Sequence, residues 1–176
     1  MKLLSYIACT SLLVVGTSIF PATVLASDFE GVKQVKVVWD IIVGDEKAFT
    51  DRIGLIKETA ESLKDRGIEP RFVLAIHGPA AKYVTKSLVG TKYEKDKIEK
   101  LDAIQTSMDD LRKDGMKIEV CAIAMKRGKI EDKNVQPFAV IESNVWENIA
   151  VLQNKGYAYM PAVGRVRCAT PPTANC

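Results

Sequence analysis

The chain has 176 residues, 47% of them hydrophobic and 27% charged, with 11 Gly and 7 Pro, the proportions of one soluble globular domain. Collagen-like, coiled-coil and disordered architectures are excluded. Lysine plus arginine is 25 against 22 aspartate plus glutamate, and a net charge of +3 spread along the chain is too small to draw a nucleic-acid partner.

Lys2 is the only charge before Asp28, an apolar run fills residues 3–20, Pro21 breaks it, and Val24-Leu25-Ala26 supplies small residues where a signal peptidase reads. Residues 1–26 are therefore read as a secretory signal, which implies a periplasmic or secreted protein with no membrane association after cleavage. The rival reading, an uncleaved anchor, is weakened by Ser5, Thr10, Ser11, Gly16, Thr17 and Ser18 inside the apolar run. Cys9 leaves with the signal. Removing 26 residues from 176 leaves 150, and a chain of that size buries roughly 68–70% of its unfolded surface without needing disulfides. Residues 27–163 form the expected domain, and 164–176, with Pro171-Pro172, an irregular tail.

Residues 35–43, VKVVWDIIV, are an almost unbroken Val/Ile-rich run suited to a strand covered on both faces. Gly44-Asp45 then offers a turn and an N-cap, and Phe49, Ile53, Ile56, Ala60 and Leu63 recur at helical spacing. A second strand over 72–76 leads to His77-Gly78-Pro79 and a short helix over 80–87, with Pro79 in its first turn. A polar loop containing Gly90 follows; its mixed-charge run 92–100 reads as a solvated face. A third helix carries Ile98, Leu101, Ile104, Met108 and Leu111, followed by strands over 117–121 and 137–141. Asn144 with Glu147 looks like a capping pair for a last helix that buries Trp146, Ile149 and Leu152. Tyr157 and Tyr159 alternate as in a strand.

Leu63-x-x-x-Gly67, Leu111-x-x-x-Gly115 and Leu152-x-x-x-Gly156 each close a helical stripe before a strand-like run. Glycine ends a helix in the left-handed conformation without a Cβ clash. Three joints of one construction between alternating helices and strands force parallel pairing, so the expected fold is a three-layer α/β/α sandwich with a mainly parallel sheet of about five strands.

In such sheets ligands bind beyond the carboxyl ends of the strands. Asp40, His77 and Cys121 fall there, and His77 is the single histidine of the chain. A thiolate at Cys121 would be favoured by helix-end N–H groups and by nearby Lys126 and Arg127. The same cysteine reads equally well as a small packed hydrophobe. His77 either tunes that thiol or makes one backbone bond and packs, and Asp40 either joins them or ties down its loop. In an oxidising compartment Cys168 and Cys176 can pair, or one of them can serve as a resolving thiol for Cys121. No C-x-x-C, phosphate loop, G-x-G-x-x-G, nucleophile elbow or zinc-spaced His/Cys cluster occurs, so neither a metal nor a cofactor is expected.

The stretch VCAIAMKRG at 120–128, PFAVI at 137–141 and LQNKGYAY at 152–159, with VKVVWDII near the start and AIHGP at 75–79, resemble the DsrE/DsrF-like (YchN-like) sulfur-relay family, in particular its exported members. The resemblance covers nearly all of residues 32–162. It implies a parallel α/β/α sandwich that assembles as a homo-oligomer, a trimer or hexamer. It also implies a persulfide carried on Cys121, with His77, Lys126, Gly78 and Asp40 stabilising the anion and a sulfur donor as partner. The competing expectation is a non-catalytic small-ligand binding module of the same fold, with Cys121 merely packed.

Overall fold

Five parallel strands in the order β4-β3-β2-β1-β5 form the single sheet of the computed structural model, which describes residues 28–162. The segment 1–26 expected to be a signal, the expected tail 164–176 and with them Cys9, Cys168 and Cys176 lie outside the described residues. Gly31 opens the structural unit that carries the fold.

Strands β1 (Gln34–Ile41) and β2 (Glu69–Ile76) occupy the middle of the sheet, and their last five residues are buried in both cases. Helix α1 (Glu46–Asp65) starts where Asp45 accepts a hydrogen bond from the Ala48 N–H at 2.9 Å, satisfying one of the unpaired donors of the first turn. Its buried residues are Phe49, Ile53, Ile56, Ala60 and Leu63, the stripe expected from their spacing. Helix α2 (Leu101–Lys113) buries Ile104, Met108 and Leu111 and leads into β3 (Lys117–Cys121). Helix α3 (Ala122–Gly128) follows β3 at once, and β4 (Val140–Glu142), α4 (Val145–Asn154) and β5 (Ala158–Ala162) complete the chain order.

The three leucine-glycine joints are built alike. Gly67, Gly115 and Gly156 have φ of +72°, +91° and +83°. Each following N–H returns to the leucine carbonyl: Ile68 to Leu63 at 2.9 Å, Met116 to Leu111 and Tyr157 to Leu152 at 3.0 Å. This six-to-one bond closes a helix end and aims the chain into the next strand.

Four expectations are corrected. The short helix over 80–87 is a 3-10 helix, Gly78–Val84, because Gly78 at φ +56° turns the chain directly after His77. The strand over 137–141 begins only at Val140, since residues 136–139 form a turn and Pro137 has no N–H for the ladder. Helix α2 starts at Leu101, not at Ile98; the preceding N–H groups of Glu99 and Lys100 are bound by the Glu46 carboxylate at 3.1 and 2.6 Å. Trp146 is 56% exposed, because α4 turns Val145, Ile149 and Leu152 inward instead. The charged run 92–100 is largely solvated, yet Asp96 is clasped at 2.6 Å by Lys82, whose ammonium lies over the Tyr83 and Tyr93 rings.

Helices α1 and α2 pack together, and the 3-10 helix joins α2 to α3, so all of them lie on one side of the sheet; α4 packs against β1, β2, β3 and β5. This division follows from the strand order. Right-handed crossovers that step from β1 to β4 in one direction keep their helices on one face, and the return to β5 on the far side of β1 sends α4 to the other.

Candidate functional site

The loops after β1, β2 and β3 leave toward the α1–α3 face, whereas the loop after β4 leaves toward α4. Adjacent strands whose outgoing loops diverge open a crevice beyond their carboxyl ends, the place where open α/β sheets bind ligands. Here that switch point lies between β3 and β4, whose last paired residues are Cys121 and Glu142.

Cys121 ends β3 and is at the same time the N-cap residue of α3, with φ −75° and ψ 120° and no side-chain cap bond. It is the free cysteine among the described residues and is 2% exposed. Glu119 precedes it by two on the strand and accepts a bond from Asn148 of α4, which puts the side chains of Glu119 and Cys121 on the α4 face. His77 follows Ile76, the register partner of Val120, so His77 and Cys121 stand one step beyond the last paired residues of neighbouring strands. Parallel strands run about 4.8 Å apart, so the two residues are neighbours along the edge, while the imidazole leans toward β1, on the side away from β3, to reach Asp40.

His77 and Asp40 are brought together directly. His77 Nε2 donates to Asp40 Oδ1 at 2.5 Å, and the Tyr159 hydroxyl donates to Asp40 Oδ2 at 2.6 Å. Burial by itself pushes the Asp40 carboxyl up, but the hydrogen bonds from His77 and Tyr159 outweigh it and hold the group below the ordinary aspartate value. The ionised carboxylate has no proton to give, so Nε2 carries the hydrogen and Nδ1 is the other ring nitrogen, to which none of the described residues donates. The bond to Asp40, with burial adding to it, pushes the Tyr159 hydroxyl up to about 12. Trp146 meets the His77 ring edge-on at a centroid distance of 4.8 Å, from the first turn of α4.

Gly78 closes the corner behind His77. A Cβ there would stand 2.9 Å from Ile42 Cγ1, and one on Gly44 would stand 2.5 Å from Pro79 Cβ, so the β1 and β2 loops touch backbone to side chain. Lys126 is not brought to the thiol. It is exposed in the last turn of α3, five residues beyond Cys121, or about 7 Å along the axis. Arg127 is exposed beside it.

Sequence reasoning passed over Tyr159, read as part of a sheet, and the Glu119 network. Lys117 Nζ lies 2.7 Å from Glu119 Oε1 without hydrogen-bond alignment and 3.0 Å from Glu142 Oε1, while Asn148 Nδ2 donates to Glu119 Oε2 at 2.5 Å. Burial opposes the Lys117 charge, but its close pairing with the two carboxylates prevails and raises its pKa. A glutamate inside the strand sequence KIEVC was the available signal, since such a residue is buried only with partners.

The fold and this edge define an α/β sandwich protein with a cysteine at the switch point of a parallel sheet. The chain belongs to the DsrE/DsrF-like family, whose sequence profile matches residues 36–161. An uncharacterized protein of Aquifex aeolicus (strain VF5) is 38% identical over 128 residues, 72% of this chain; those residues span 56% of that relative's length. The solved structure of MTH1491, a protein of unknown function from Methanobacterium thermoautotrophicum, superposes with a TM-score of 0.56 at 14% identity, covering 73% of this chain and 98% of that one. The second likeness shows the fold.

Proposed function

We propose that the protein is an exported sulfur carrier that holds sulfane sulfur as a persulfide on Cys121. Family membership links the chain to sulfur relay, and the observation that carries the reading is the position of Cys121, at the switch point and beside the buried His77–Asp40 pair. The cysteine thiolate attacks the outer sulfur of a sulfane donor, a new S–S bond forms, and the donor's remaining fragment leaves with the electron pair of the broken bond. The thiol proton passes to a base at the same edge, for which His77 Nδ1 is suited. Residues 1–26 support export. Assembly as a homo-oligomer, a trimer or hexamer, is part of the same proposal, and light scattering would test it.

The 2% exposure of Cys121 favours a second reading, a binding module in which the thiol is packed and the edge holds a small ligand. Mass spectrometry after treatment with polysulfide separates the two. Added multiples of sulfur on Cys121, lost in Cys121→Ser, support the carrier, and an unmodified thiol in the folded protein overturns it.

A further inference from the structure

We infer that the surface formed by residues 86–92 and 126–134 docks on a lipid bilayer with anionic headgroups, placing Val89 among them. The inference is independent of the sulfur-carrier reading.

The two segments are stitched into one surface. Thr85 and Val135 form an antiparallel bridge, and the Lys86 N–H donates to the Asn134 carbonyl at 2.7 Å. The Lys92 N–H donates to the Gly128 carbonyl at 2.9 Å, and the Asn134 side chain exchanges bonds with the Ser87 backbone at 3.0 and 2.7 Å. This surface carries six exposed cations, Lys86, Lys92, Lys126, Arg127, Lys129 and Lys133, against two acids, Glu131 and Asp132. A surplus of four exceeds the +3 of the whole chain, so the rest of the chain is slightly acidic and the positive charge gathers here. Among the described residues, Lys133 is the one of the six that meets a carboxylate, Glu131 at 2.7 Å, in a pair surrounded by water. Lys86 Nζ donates to the neutral Lys133 carbonyl. Lys129 ends α3 with φ +54°, where glycine is the usual choice, so the turn itself does not require its charge.

An apolar corner stands among these cations. The Thr91 N–H donates to the Leu88 carbonyl at 3.0 Å, and Gly90 has φ +76°, the positive value that the third position of such a turn demands. Thr91 is buried and its hydroxyl also donates to the Leu88 carbonyl, at 2.6 Å. The turn is thus held from inside while Val89, at its second position, is 75% exposed, more than any other large hydrophobic residue described. Val89 lines one cavity with Lys129 and Lys133. A lone exposed valine is ordinary, but one held outward among cations suits a peripheral membrane contact, in which the apolar tip leaves water and the cations meet the headgroup phosphates. Five of the six cations are lysines, point charges suited to a field of headgroups, whereas arginine forks onto a single acidic partner. Among the described residues no helix is long and apolar enough to cross a membrane, so the contact is peripheral. It departs from the sequence expectation of no membrane association after cleavage.

The test is co-sedimentation of the chain without residues 1–26, which keeps the whole structural unit from Gly31 onward. Vesicles of phosphatidylglycerol and phosphatidylcholine in equal parts are compared with phosphatidylcholine alone at about 0.1 M salt. The expected partition onto the anionic vesicles is about tenfold or more above the neutral ones and falls as salt rises. Lys92→Gln and Lys129→Gln should each lower it about fivefold, and Val89→Ser about threefold. Lys155→Gln, the same charge change at the end of α4 on the other side of the sheet, should leave it within about twofold. All four side chains are exposed, and circular dichroism verifies that the variants fold. Equal partition onto the two kinds of vesicle, losses in Lys92→Gln and Lys129→Gln no larger than in Lys155→Gln, or a Val89→Ser variant that binds like the parent would overturn the inference. Polyglutamate that binds as tightly as the anionic vesicles would assign the surface to an acidic protein and overturn it as well.

Discussion

Asp40 accepts from His77 through one carboxylate oxygen and from Tyr159 through the other, joining β1, the end of β2 and β5 through a single side chain. Its lowered pKa ties stability to pH. A carboxyl depressed by folding contributes fully above its unfolded value and loses that contribution as pH falls through the folded one. Tyr159 works at the other end: raised from 10.0 to about 12, it contributes fully below 10.0 and loses its share as pH rises through about 12. Asp40→Asn should therefore cost about 1–3 kcal/mol in urea unfolding at neutral pH, a cost that shrinks toward strong acid. Tyr159→Phe should cost less, since the ring is partly in water. A pH-independent Asp40→Asn penalty would contradict the assignment.

Gly78 carries two separable constraints. Its φ of +56° disfavours any side chain, and a Cβ would meet Ile42 Cγ1 at 2.9 Å. Gly78→Ala should destabilise the protein by roughly 1–3 kcal/mol through strain and contact together. Adding Ile42→Ala removes the contact and leaves the backbone strain, so Gly78→Ala should cost less in the Ile42→Ala background than in the parent. A thermal or urea double-mutant cycle with no coupling would show that the close approach relaxes freely.

Much of this was legible in the chain. The α1 stripe, the Asp45 cap and the leucine-glycine joints follow from local geometry, because helix periodicity and left-handed glycine act within a few residues. Parallel pairing followed from alternation, and the edge holding Asp40, His77 and Cys121 followed from parallel pairing. What escaped depends on contacts distant in sequence. Tyr159 reaches Asp40 across 119 residues of chain only because β5 returns to the free side of β1, and strand order has no local signature. Trp146 lies outward for a related reason: one-residue rotation of a ten-residue helix is decided by the sheet beneath it, not by the helix's own pattern. Lys126 looked close to Cys121 in sequence, and the intervening helix separates them.

Glu119 anchors α4 from beneath. It is 1% exposed, and Asn148 supplies its one aligned hydrogen bond, while Lys117 supplies charge from the rim. Asn148→Ala leaves a buried carboxylate oxygen without its donor and should cost about 1.5–3 kcal/mol, the range for bonds to charged groups. Val151→Ala, exposed on the same helix, should cost within about 0.5 kcal/mol. Equal effects in urea titrations would mean that α4 is held by its apolar face alone.

Burial of Cys121 makes its chemistry depend on opening. With 2% exposure, the thiol should react with iodoacetamide far more slowly in the native protein than in urea, where it is free. Trp146 holds the start of α4 against His77 by an edge-on ring contact, a kind of pair worth about 0.5–1.5 kcal/mol. At 1.4 kcal/mol per decade, Trp146→Ala should raise the native alkylation rate roughly two- to tenfold if opening of α4 admits the reagent. An unchanged rate in Trp146→Ala would place the route to the sulfur on the α3 side instead, where Tyr93 donates to the Gly78 carbonyl at 3.4 Å and packs on Gly128. Tyr93→Ala would then be the variant that accelerates alkylation.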